Sequence, residues 1–107
     1  MERTIKETFY SANILTVEVT HNGFQGGDAG HGGFVTIKLI DEGSTSMEGT
    51  VEYIPGDGYY PQKISFEEMN EVSLTFRGDT ERDTLVQSLE FILKELKEYE
   101  YLEETTK

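Results

Sequence analysis

The chain has 107 residues, with 21 Asp or Glu against nine Lys or Arg, for a formal net charge of −12 at pH 7. That length fits one domain with one core, and the lack of cysteine excludes disulfides, thiolate metal sites and cysteine nucleophiles. So strong a negative field disfavours nucleic-acid binding, which depends on cations neutralising phosphates.

The N-terminal run Met1-Glu2-Arg3-Thr4-Ile5-Lys6-Glu7 has no apolar h-region, and no apolar stretch reaches membrane-spanning length. A cytoplasmic protein with no membrane partner is expected. Leu15, Val17 and Val19 alternate with Thr16, Glu18 and Thr20, which predicts a strand that Phe9 and Tyr10 extend upstream. Alternation returns with Val35, Ile37 and Leu39 against Phe34, Thr36 and Lys38. The turn-forming run Asp41-Glu42-Gly43-Ser44-Thr45-Ser46 follows. A third strand over 47–54 completes an expected antiparallel meander. Pro55-Gly56-Asp57-Gly58-Tyr59-Tyr60-Pro61 then breaks the sheet. Ile64 and Phe66 indicate a short extended piece, and Val72, Leu74 and Phe76 a fourth strand ending at Gly78.

The last element is a helix over about 79–103. Asp79 or Thr80 is the expected N-cap, Thr80-x-x-Asp83 approximates a capping box, and the early acids suit the macrodipole. Leu85, Leu89, Ile92, Leu93, Leu96 and Tyr99 share one face, read as core packed on the sheet. The fold class is therefore α+β: a four-stranded, largely antiparallel sheet covered on one face by a C-terminal helix. The sheet's second face leaves room for a homodimer or higher oligomer.

Residues 21–33 concentrate six of the 11 glycines and both histidines. A connection of this length between two strands is far longer than a usual hairpin loop, and long loops tend to carry function or to lack order. Glycines allow close backbone approach, and successive amides in such a loop can nest an anion. His21, Asn22, Phe24, Gly26, Gly27, Asp28, Gly30, His31, Gly32 and Gly33 are the candidate ligand-binding residues, with Lys38 and Arg77 as distant cations. The segment lacks a Walker pattern and a G-x-G-x-x-G, and no helix is expected to open behind it. His21, Asp28 and His31 form a conceivable metal set, but H-x6-D-x2-H matches no established signature. No cofactor is expected. Ser44, Thr45 and Ser46 lie in a turn rather than a nucleophile elbow, so an enzyme is not the favoured reading.

The run Gln25-Gly26-Gly27-Asp28-Ala29-Gly30-His31-Gly32-Gly33, a strand, then Asp41-x-Gly43-Ser44-Thr45-x-Met47 resembles small uncharacterised proteins of Firmicute phages and other mobile elements, over about residues 17–50. The resemblance implies context rather than catalytic residues: such proteins antagonise host factors, some as sponges for nucleotide signals, others as DNA mimics. The favoured expectation is a non-enzymatic module holding a small polar or nucleotide-like ligand at 21–33. The alternative is an acidic inhibitor or adaptor that meets a basic host protein through Glu90, Glu95, Glu98, Glu100, Glu103 and Glu104. A metal-dependent hydrolase stands third.

Overall fold

Alternating sequence makes strands here, and helical spacing makes one helix. The structure is a computed structural model that describes residues 2–26 and 32–101. Its elements are β1 (Arg3–Tyr10), β2 (Ile14–His21), β3 (Phe34–Gly43), β4 (Gly49–Tyr53), β5 (Gln62–Phe66), β6 (Glu71–Arg77) and α1 (Asp79–Glu98). One four-stranded antiparallel sheet has the order β1-β2-β3-β6, and β4 and β5 form a separate two-stranded sheet. The fold is α+β, as expected. No helix among the described residues is long and apolar enough to cross a membrane.

Packing divides the chain into two compact units. One contains Arg3–Thr20 and Thr36–Leu74, the other His21–Val35 and the chain from Thr75. In the first unit, Phe9 and Tyr10 do not extend β2. They end a strand of their own, because the chain turns at Ser11-Ala12-Asn13, where the Ser11 N–H donates to the Asn13 carbonyl at 2.8 Å. Hydroxyls pin the resulting register: Thr4 faces Thr20 (Oγ1–Oγ1 3.0 Å) and Thr8 faces Thr16 (2.7 Å). Thr16 is fully buried and donates to the Glu42 carboxylate at 2.9 Å, so the one hydroxyl removed from water has partners on both sides.

The turn after β3 is held by its own side chains. Asp41 Oδ1 accepts the N–H groups of Gly43 (2.8 Å) and Thr45 (3.1 Å). Thr45 donates its hydroxyl to the Ile14 carbonyl (2.7 Å) and accepts from Asn13 Nδ2 (3.0 Å). The expected meander stops there. β4 pairs with β5 instead of β3, matching Val51 to Ile64 and Glu52 to Lys63, and β6 takes the place beside β3. The Asp41 N–H bonds to the Asn70 carbonyl at 2.7 Å, which seats the start of β6 against the end of β3. Alternation in the β4–β5 ribbon puts Thr50, Ser65, Glu52 and Lys63 on one face. Val51, Tyr53, Ile64 and Phe66 are all exposed.

In the second unit, Gly78 ends β6 and caps α1. Its φ of +118° is open to glycine but strained for other residues, and its N–H donates to the Gly33 carbonyl at 2.8 Å. The expected cap at Asp79 or Thr80 is thus displaced by one or two residues, and no side chain caps the helix. The Asp79 carboxylate is engaged elsewhere. The apolar stripe forms at helical spacing, and no residue of α1 is fully buried. Only Asp79, Arg82 and Leu85, on its first two turns, are half-buried. A helix of 20 residues runs about 30 Å, and its half-buried residues all lie near its beginning. Val35 is the one buried apolar side chain among the described residues.

Candidate functional site

The long β2–β3 connection is where the sequence and structure converge. β2 ends at His21 and β3 begins at Phe34, so twelve residues join two neighbouring antiparallel strands, as the glycine-rich composition suggested. Both roots of the loop are built. Asn22 braces one against the other: its Nδ2 donates to the Gly32 carbonyl at 2.8 Å and its Oδ1 accepts the Phe34 N–H at 3.0 Å. The Gln25 side chain donates back to the Asn22 carbonyl at 2.6 Å. Gly23 and Gly26 have φ of +72° and +68°, the left-handed turns the loop takes on its way out, and nothing lies within 4 Å of either position's missing Cβ.

The start of α1 holds the same root from the other side. Asp79 Oδ1 accepts the Gln25 N–H at 3.2 Å, and Oδ2 accepts the Gly26 N–H at 2.8 Å. Two successive amides gripping one carboxylate make the anion nest that a glycine-rich loop predicts. Its occupant is the chain's own Asp79. The chain continues from the loop into β3; α1 reaches the loop through a side chain 53 and 54 positions away. Its first residue, Asp79, serves the loop's amides rather than a cap.

Arg82, one turn further on, lays its guanidinium 4.8 Å from the centroid of the Phe24 ring, a cation–π distance. Its Nη1 lies 3.1 Å from His21 Nδ1, which also takes the Gly23 N–H at 3.0 Å. Arginine and a backbone amide can only donate, so Nδ1 is the acceptor for both, and the neutral imidazole carries its proton on Nε2. The result is a donor, a cation and an aromatic ring that is 60% exposed, all fixed by the protein's own contacts.

The structure thus brings together His21, Asn22, Phe24, Gly26, Gly32 and Gly33 of the sequence-derived set. Gly27, Asp28, Gly30 and His31 lie outside the described residues, and with them two of the three residues of the conceivable metal set. Among the described residues no three His, Asp or Glu side chains cluster as a metal site. Lys38 is not a loop cation, because Glu18 (4.0 Å) and Glu71 (3.8 Å) engage it. Thr45 is tied into its turn as above. Arg82 and Asp79 were missed as site residues. The available signal was Arg82 itself, a cation in an acidic first turn where the macrodipole disfavours it. No family model, curated protein or solved structure matches the chain.

Elsewhere, a recess of about 310 Å³ is lined by Asp41, Ser44, Thr45, Met47, Glu68 and Met69, among others. Its Asp41 and Thr45 polar atoms already serve the turn.

Proposed function

We propose that the protein is a non-enzymatic binding module that captures a small, polar, nucleotide-like ligand at the glycine loop. The observation that carries this reading is the double brace on the loop. Asn22 ties its two roots together and Asp79 anchors its outgoing limb, so the loop leaves the sheet from a fixed frame. Ordering a glycine-rich segment costs conformational entropy, at roughly 1–2 kcal/mol per residue, and a frame that prepays part of it favours binding. Beside that frame, Phe24 offers a ring for stacking a base, Arg82 a cation for a phosphate and His21 Nε2 a donor. Because Asp79 fills the Gln25–Gly26 amides, the ligand's anionic group falls to Arg82 and to the rest of the loop. Resemblance to small phage proteins favours sequestration over turnover, as in a sponge for a nucleotide signal.

Thermal denaturation against a panel of linear and cyclic nucleotides tests the reading. A ligand present at a hundredfold over its Kd stabilises by about 2–3 kcal/mol, on the order of 10 °C in Tm. Phe24→Ala and Arg82→Ala are expected to abolish that shift while keeping the unliganded Tm within a few degrees. If millimolar nucleotides leave Tm unmoved, the reading fails. Capture of a basic protein that weakens as salt rises would support the acidic-adaptor alternative.

A further inference from the structure

We infer that the bare stripe of α1 is a self-association surface whose occupant is α1 of a second copy, running antiparallel. The inference is independent of the ligand reading.

The spacing comes first. Leu85, Leu89, Ile92, Leu96 and Tyr99 recur at intervals of four, three, four and three. That is the 3.5-residue period of a seam between two helices. Val86 and Leu93, one position on from Leu85 and Ile92, widen it to the broader face of a bundle helix. Beyond Leu85, which is half-buried, the stripe is exposed: Val86 and Leu89 are 46% exposed, Ile92 50%, Leu93 56% and Leu96 67%. A run of exposed large apolar side chains on one helix is an interaction surface rather than ordinary scatter.

Area and charge select the occupant. At roughly 100 Å² of exposed surface per half-exposed large side chain, six stripe residues offer about 600 Å² per helix. A pair would then bury about 1,200 Å², the lower bound for a specific stable interface. A globular basic partner would instead seek carboxylates, and these thin out beside the stripe. Residues 85–98 hold Glu90, Glu95 and Glu98 against Lys94 and Lys97, a net of −1 in a chain of −12. Two copies can approach along this segment with little of the repulsion that the rest of the chain would impose.

Direction follows from the ends. The first turn of α1 carries Asp79 and Glu81 and the last turn Lys97. Antiparallel pairing opposes the two macrodipoles, whereas parallel pairing would align them. The register that keeps the stripe in contact sets Leu85 against Leu96 of the second copy, and Leu89 against its Ile92.

Light scattering on the full chain, at tens of micromolar, is expected to give twice the 12.1 kDa chain mass. Ile92→Asp combined with Leu96→Asp should return the single-chain mass with the helical circular-dichroism signal retained, because both positions are exposed within one copy. The cysteine-free sequence allows a cleaner geometric test. Leu85→Cys mixed with Leu96→Cys should form a mixed disulfide dimer under mild oxidation, while Leu85→Cys alone should not. A single-chain mass for the unmodified protein, or a dimer that survives the double Asp variant, overturns the inference. Efficient self-crosslinking of Leu85→Cys overturns the antiparallel direction.

Discussion

Asp41 and Asp79 perform one chemical task at very different ranges. Each carboxylate accepts two backbone N–H groups: Asp41 from Gly43 and Thr45, two and four residues ahead, and Asp79 from Gln25 and Gly26, more than fifty residues back. The first is an Asx-type turn that any short peptide could attempt. The second exists only once β6 has returned the chain to the mouth of the β2–β3 loop. Identical bonds therefore mean different things. Around Asp41 they define a turn, and at Asp79 they make a loop's conformation depend on where a helix begins.

The strongest way to break the contrast is to move the start of that helix. Gly78→Ala forces a side chain into φ +118°, where its Cβ would meet the Glu81 carboxylate, and it displaces Asp79 together with the Gly78–Gly33 bond. We expect a loss of about 2–3 kcal/mol in denaturant unfolding, with hydrogen exchange quickening at Gln25 and Gly26. Next in size are the carboxylates themselves. Asp79→Ala and Asp41→Ala should each cost about 1–2 kcal/mol, as exposed and part-buried charge-assisted bonds are lost. Exchange should separate them: Asp79→Ala releases the Gln25 and Gly26 amides and spares Gly43, while Asp41→Ala does the reverse. Matching exchange patterns in the two variants would dissolve the distinction. The smallest effect is a baseline. Thr50→Ala removes an exposed hydroxyl contact to Ser65 at 3.3 Å and should stay within about 0.5 kcal/mol. A larger cost there would mean that bond number, not range or charge, sets the scale.

What could be read from sequence follows the same division of range. β2, β3 and β6 carry clean alternation, and α1 carries clean helical spacing, so their existence and type were legible from neighbours alone. The loop between β2 and β3 announced itself by length and glycine content. β1 was harder, because Glu7 interrupts the face that Ile5 and Phe9 would define, and the Ser11–Asn13 turn lacks glycine and proline. The pairing of β4 with β5, and of β3 with β6, depends on contacts across intervening chain that no local pattern records. At the site, His21, Asn22 and Phe24 were visible as polar and aromatic residues set among glycines. Asp79 read as a helix cap because first-turn acids nearly always favour that role energetically. Its actual partners are set by tertiary placement. The stripe of α1 was legible as a stripe, but spacing alone does not say which surface will meet it.

The buried Thr16 hydroxyl has one hydrogen, and Glu42 receives it. Thr8 must therefore donate into Thr16, although the 2.7 Å separation alone is symmetric. The chain of bonds from β1 through β2 to β3 consequently has a single polarity, ending on a carboxylate. A slip of one residue between these strands would send Thr16 to the opposite face and leave the relay without its middle link. Sealed from water, that hydroxyl proton should exchange slowly enough to give its own resonance, a built-in reporter of whether the three strands hold their alignment.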